Sequence, residues 1–269
     1  MTSHARHPWP STPVHTMAHG ATAPAIAALH GFTGRGGDFD GLIAHSTTAA
    51  TWRCPDLPGH GDTPAMDWTA FQSDLGRWIE SLPRPRILLG YSLGGRCALA
   101  FASAHADRID GLVLVGAHPG LVDATERDTR AAADSLLADT ARREGLDTFL
   151  SRWRRQPLIA SQENAPEPWL GHMRKARTTH RIAELATILE SWSPGRLPPQ
   201  WDRLQSLRLP VLLLTGANDA RYTALAARMS ALMPAATHRT VPACGHACHL
   251  EAPAPTAGIL DAWLATLGS

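Results

Sequence analysis

The apolar run Ile87-Leu88-Leu89 passes through Gly90-Tyr91-Ser92-Leu93-Gly94 directly into Gly95-Arg96-Cys97-Ala98-Leu99-Ala100. A strand that reverses into a helix over so few residues allows only a very tight turn, and this one carries a hydroxyl at its apex. The turn needs glycine on both sides of Ser92, because side chains two residues away would collide where strand and helix pack closely. Gly90 and Gly94 meet that need. The amide after the serine, that of Leu93, joins the positive end of the following helix and points to the same space as the hydroxyl.

The rest of the chain repeats the strand-then-helix pattern. Strands are predicted at 25–29, 51–54, 86–89, 111–115, 210–215 and 237–241, most of them short, apolar and followed by Gly or Pro. Between them, residues 68–82 place Phe71, Leu75, Trp78, Ile79 and Leu82 on one helical face, and further covering helices are predicted at 221–232 and 257–267. Such alternation means a mostly parallel central sheet with helices on both sides, an α/β class. It stops after Leu112-Val113-Leu114-Val115. From 122 to 199 the sequence is nearly strand-free, with helical, Arg-rich and Trp-bearing segments. The organisation expected is a leader or edge hairpin at 1–24, an α/β core at 25–121 and 200–269, and an inserted helical cap at 122–199.

A serine hydroxyl becomes useful when an imidazole can take its proton, and the imidazole needs a carboxylate to hold its tautomer. Asp219 follows the apolar strand ending at Thr215, on the loop Gly216-Ala217-Asn218-Asp219, and His246 follows Thr240-Val241-Pro242 in Ala243-Cys244-Gly245-His246. Both sit past the carboxyl end of a strand, where open α/β sheets hold their ligands. Asn218 and Asp202 are weaker candidates: an amide cannot stabilise an imidazolium as a carboxylate does, and Asp202 precedes its strand. His249 opens the turn into Leu250-Glu251 and reads as structural or rim-lining. A second oxyanion donor is expected from His30-Gly31-Phe32-Thr33-Gly34, after the strand 25–29, as the Phe32 amide facing that of Leu93. His30 reads as a residue that hydrogen-bonds this loop.

Composition removes several function classes. The 269 residues carry 25 Lys and Arg against 24 Asp and Glu, a net charge of +1, which does not suggest a nucleic-acid partner. No stretch approaches the roughly 18 to 20 apolar residues of a membrane helix, and the first 24 residues lack a signal-like apolar run. A cytoplasmic setting follows as the expectation. Four cysteines, at 54, 97, 244 and 248, do not form a disulfide framework in so long a chain. Cys244-Gly245-His246-Ala247-Cys248-His249 superficially resembles a metal cluster but lacks a second distant ligand pair, so no metal is expected. Arg96 stands out among the arginines: it adjoins the apolar stretch 97–102, where a lone charge is costly without an anionic partner.

Taken together, these stretches resemble the α/β-hydrolase superfamily. Leu29-His30-Gly31-Phe32, Asp56-Leu57-Pro58-Gly59-His60-Gly61 and Gly245-His246 are superfamily features. Tyr91-Ser92-Leu93-Gly94-Gly95-Arg96, His118-Pro119-Gly120-Leu121, and Trp153 with Gln156-Pro157 are more particular, and they resemble the 2-succinyl-6-hydroxy-2,4-cyclohexadiene-1-carboxylate synthases of menaquinone biosynthesis. That resemblance implies an α/β-hydrolase fold with a cap. It implies a cofactor-free elimination of pyruvate from 2-succinyl-5-enolpyruvyl-6-hydroxy-3-cyclohexene-1-carboxylate, with Ser92, His246 and Asp219 acting as a base on a carbon acid. It also implies Arg96, Arg130 and Arg177 as holders of an anionic small-molecule substrate, with Tyr91 and Trp153 as pocket walls. Two departures bear on pocket shape: Leu158-Ile159 stands where the family tends to have Phe, and Arg221 where Lys is usual. The same triad could also serve a serine esterase or a carbon-carbon bond hydrolase acting by acyl transfer, and a ligand-binding protein on a retained scaffold is a third reading.

Overall fold

The computed structural model describes residues 9–10, 15–17 and 23–267. Among the described residues seven strands form one sheet: β1 (His15–Met17), β2 (Ala25–Leu29), β3 (Thr51–Cys54), β4 (Arg86–Tyr91), β5 (Gly111–Val115), β6 (Val211–Gly216) and β7 (Ala236–Val241). Their order is β1-β3-β2-β4-β5-β6-β7. All neighbours are parallel except β1, which runs antiparallel along β3 with His15 opposite Cys54. Of the leader or hairpin expected at 1–24, only β1 and residues 9, 10, 23 and 24 are described; the remainder lies outside the described residues.

Side chains alternate across this sheet with the period of two that pleating imposes. Leu88, Leu112, Leu114, Val211 and Leu213 join one core, and Ile87, Leu89, Val113, Val115, Leu212 and Leu214 join the other. Both faces are therefore buried, as a parallel sheet requires. The helices α1 (Asp40–His45), α2 (Trp68–Glu80) and α3 (Leu93–Ala104) follow the first strands. The helix α2 starts where Asp67 caps the Ala70 amide at 3.1 Å, and it buries Phe71, Leu75 and Ile79.

Between β5 and β6 lie α4 (Ala124–Glu144), α5 (Leu146–Trp153), α6 (Pro157–Ala160), α7 (Trp169–Arg177) and α8 (Ile182–Ser191). They share a small core of their own, built from Ala138, Ala141, Phe149, Leu185, Ala186 and Leu189. After β6 come α9 (Ala220–Leu232), α10 (Cys248–Glu251) and α11 (Pro253–Ala265). The last helix begins four residues before the predicted 257, because Pro253 at its first position has the backbone angle a helix start needs and no amide to leave unpaired. The loops following β2, β4, β5, β6 and β7 all emerge at the carboxyl edge of the sheet. They carry Phe32, Ser92, Gly116, Asp219 and His246 respectively.

Candidate active site

Ser92 has φ 49° and ψ −104°, a left-handed region that a residue with a Cβ adopts only under constraint. The constraint is visible: the Ser92 amide donates to the Val115 carbonyl at 2.9 Å and the Arg96 amide to the Ser92 carbonyl at 3.0 Å. A Cβ on Gly90 would stand 2.3 Å from the Gly94 oxygen, and one on Gly94 only 2.0 Å from the Leu29 oxygen. Both glycines are thus required by close backbone approach. The hydroxyl they present lies 3.1 Å from His246 Nε2. His246 Nδ1 lies 2.8 Å from Asp219 Oδ2.

Asp219 accepts the Tyr222 amide at 3.1 Å on its other oxygen, so it caps α9 while it holds the imidazole. Because a carboxylate only accepts, the proton sits on Nδ1 and the Nε2 lone pair faces the Ser92 hydroxyl. His246 is held from behind as well. Glu251 takes the Gly245 amide at 2.6 Å and the Ala247 amide at 3.0 Å, bracketing the histidine, and Ser161 donates to the same carboxylate at 2.9 Å. The Phe32 and Leu93 amides have no hydrogen-bond partner among the described residues. An array of this kind can remove a proton from a hydroxyl and stabilise a nearby oxyanion.

Above Ser92 opens a cavity of about 340 Å³, lined by Phe32, Leu93, Arg96, Arg130 and Trp153 among others. Arg96 donates to the Trp192 carbonyl at 2.8 Å and has no carboxylate partner among the described residues. Burial lowers its pKa. Arg130 is tied through Nε to Asp134 at 2.8 Å, and Asp134 is itself buried at the cavity wall. Trp153 stacks on Phe149 at 5.7 Å and meets Phe32 edge-on at 5.0 Å, with its indole N–H buried and unpartnered among the described residues.

Two expected pocket residues stand elsewhere. Tyr91 and Arg177 do not line this cavity, because the Gln162 side chain occupies both of them: its amide donates to the Tyr91 hydroxyl at 2.9 Å and accepts from Arg177 Nη2 at 2.5 Å. The Tyr91 ring instead packs against His246 and His249, at 5.3 and 4.4 Å. His249 is fully buried rather than at the rim, and burial, with His246 adding to it, pushes it down to about 3.

Among the cavity residues to which sequence reasoning gave no role are Arg221, Tyr222 and His118. Arg221 and Tyr222 follow Asp219 directly and line the cavity. His118, in the His-Pro-Gly-Leu stretch, accepts the Gly120 amide on Nδ1 at 2.9 Å, leaving Nε2 as a donor. It is pushed down to about 4 by burial first and then by Arg96, Arg221 and Arg130, so it is neutral near pH 7. The signal for Arg221 and Tyr222 was adjacency to the acid; for Glu251 it was a carboxylate five residues past the histidine.

All four cysteines are buried and unpaired. Among the described residues no three His, Cys, Asp or Glu side chains are grouped to hold a metal ion, and no helix is long and apolar enough to cross a membrane.

The profile of the alpha/beta hydrolase family matches residues 26–259. The chain is 33% identical over 260 residues to the 2-succinyl-6-hydroxy-2,4-cyclohexadiene-1-carboxylate synthase of Serratia proteamaculans, covering 92% of this chain and 96% of that one. Among solved structures it is similar to MenH from S. aureus, with a TM-score of 0.88 and 24% identity over 95% of this chain and 99% of that one. A thermophilic esterase from Thermogutta terrifontis matches with a TM-score of 0.76 and 22% identity over 96% of this chain and 94% of the esterase, so the fold itself is shared with an esterase. By the extent of these matches, the chain belongs to the alpha/beta hydrolase family and, within it, to the 2-succinyl-6-hydroxy-2,4-cyclohexadiene-1-carboxylate synthases.

Proposed function

We propose that this protein is a cofactor-free lyase that eliminates pyruvate from 2-succinyl-5-enolpyruvyl-6-hydroxy-3-cyclohexene-1-carboxylate in menaquinone biosynthesis, working in the cytoplasm. The observation that carries the substrate class is Arg96: a half-buried guanidinium four residues past Ser92 that lines the cavity without a carboxylate partner among the described residues. Such a group calls for an anionic guest. Arg221 adds a second cation to the same space and Arg130 a third that its ion pair with Asp134 offsets, and guanidinium forks hold carboxylates in a defined orientation.

The chemistry follows from what each group can do. The succinyl ketone acidifies the neighbouring ring C–H. The Ser92 oxygen removes that proton as His246 Nε2 takes the serine's own, and Asp219 stabilises the resulting imidazolium. The electron pair moves into the ketone, whose enolate oxygen is met by the Phe32 and Leu93 amides. Its return forms a C2–C3 double bond, moves the existing C3–C4 double bond to C4–C5 and breaks the C5–O bond to the enolpyruvyl group, which leaves as enolpyruvate, takes up a proton and becomes pyruvate, so that the ring is left as a conjugated diene. The helices α4 to α8 act as a cap that bounds the cavity with Arg130 and Trp153.

The 3.1 Å contact between Ser92 and His246 would also suit acyl transfer, and this keeps a serine hydrolase as the second reading. A pyruvate-release assay on the enolpyruvyl cyclohexene decides between them. The lyase releases pyruvate and barely turns over nitrophenyl esters; a hydrolase gives no pyruvate and accumulates an acyl-enzyme on Ser92.

A further inference from the structure

The loop after β2 is tied to the helical insertion by a hydrogen-bonded path that no motif announces. His180, in the bend between α7 and α8, is buried and lies with Nε2 2.8 Å from the Thr33 carbonyl. Its Nδ1 accepts the Gly61 amide at 2.9 Å. A backbone N–H can only donate, so Nδ1 is the acceptor and Nε2 carries the proton given to Thr33.

The next links are peptide groups. The Thr33 carbonyl belongs to the same planar unit as the Gly34 N–H, which donates to the Gly31 carbonyl at 3.0 Å. The Gly31 carbonyl in turn shares its plane with the Phe32 N–H. His30 Nδ1 also donates to that carbonyl at 2.8 Å, while His30 Nε2 accepts the Leu57 amide at 2.9 Å. Two donors on one carbonyl fix the peptide plane, and in a trans peptide the Phe32 N–H must then point the opposite way. Each link polarises the next, since hydrogen bonds in series strengthen one another.

Thr33 shows that the loop needs such support. It has φ 64°, an outlier for a β-branched residue, and its hydroxyl is buried without a partner among the described residues. Its amide is held by His60 Nε2 at 3.2 Å, with His60 Nδ1 donating to Pro58 at 3.0 Å. The strained residue is thus gripped on both sides, once from the core and once from the insertion.

We propose, resting on the reading of Phe32 and Leu93 as oxyanion donors, that His180 is a positioning residue: it aims and polarises the Phe32 amide through the Thr33–Gly34 and Gly31–Phe32 peptide groups, and so couples the seating of the helical insertion to the oxyanion site. Two substitutions separate its contacts. His180→Asn keeps an acceptor for the Gly61 amide but falls short of Thr33; His180→Gln keeps a donor that reaches Thr33.

The experiment compares kcat and KM for pyruvate release with the amide 1H–15N shifts of Phe32, Gly34 and Leu93 in wild type and both variants. Loss of a whole oxyanion donor costs about 10² to 10³ in kcat, so a misaimed one is expected to cost about tenfold. H180N should therefore lower kcat about tenfold at nearly constant KM and move the Phe32 and Gly34 shifts together, leaving Leu93 in place. H180Q should recover both. Unmoved Phe32 and Gly34 shifts in H180N, or a change confined to KM, would overturn the coupling. Shifts that move while kcat stays constant would uphold the coupling and fault the oxyanion reading instead.

Discussion

Gly116 and His246 share a space with no room for a methyl group. A Cβ on Gly116 would stand 2.7 Å from His246 Cε1 and 2.9 Å from Nδ1, and Gly116 has φ 52°. The loop after β5 thereby sets one wall of the imidazole's slot, in addition to the bracket that Glu251 forms around residues 245–247. Gly116→Ala is expected to push the ring off its line between Asp219 and Ser92. A displacement near 1 Å lowers kcat by about 10²-fold, and the strained backbone costs about 1 to 3 kcal/mol. Steady-state kinetics with a thermal melt checks this, and wild-type kcat in the variant would show that the slot is not what positions the ring.

Asp219 has two tasks, capping α9 and holding His246, and Asp219→Asn separates them. Asn caps a helix about as well as Asp, so the melting temperature is expected to change little. Turnover is expected to fall by about 10⁴-fold, because an amide donor at Nδ1 favours the wrong tautomer. A loss below tenfold would remove Asp219 from the triad.

Arg96→Ala tests the anionic guest. Truncating one partner of a buried charge-assisted pair costs about 2 to 5 kcal/mol, so kcat/KM for the tricarboxylate should fall by at least about 30-fold. Turnover of a neutral nitrophenyl ester, where detectable, should fall far less. Equal losses on both substrates would mean that the arginine supports the fold around Ser92 and not a carboxylate.

The buried histidines make stability depend on acid. Burial above all pushes His30 and His180 down to about 4, and it holds His60 well below its ordinary value of 6.5. The unfolded chain therefore binds more protons than the folded one between pH 6.5 and 4, and stability present above pH 6.5 drains away as pH falls through that window. His30 and His180 each contribute roughly 3 kcal/mol to the loss. Asp38, pushed up to about 6 by burial, works in the opposite sense but singly. Urea unfolding at pH 7, 5.5 and 4.5 should show a falling midpoint, and a level midpoint across the three would contradict a neutral, buried histidine cluster.

The elbow could be read from the chain because everything that makes it is local: the apolar run, the two glycines and the helix lie within 18 residues of one another. Strand boundaries came within a residue or two for the same reason, with β4 running on through Gly90 to Tyr91. Asp219 and His246 were legible through position, each just past a strand end. Tyr91 and Arg177 were placed at the pocket by the family resemblance, yet Gln162, 71 residues from one and 15 from the other, holds them both away from it. Nothing in the spacing of these three residues announces that meeting.

The amino-acid order alone determined the sheet, the strained serine and the reserve of arginines, since backbone geometry and side-chain period act over a few residues. Only the tertiary structure decided that Arg96 lines the cavity without a carboxylate partner among the described residues, which glycine shapes the imidazole's slot and how His180 reaches Thr33 from 147 positions away. Those are contacts between distant segments, set by how whole layers pack, and no local rule of sequence contains them.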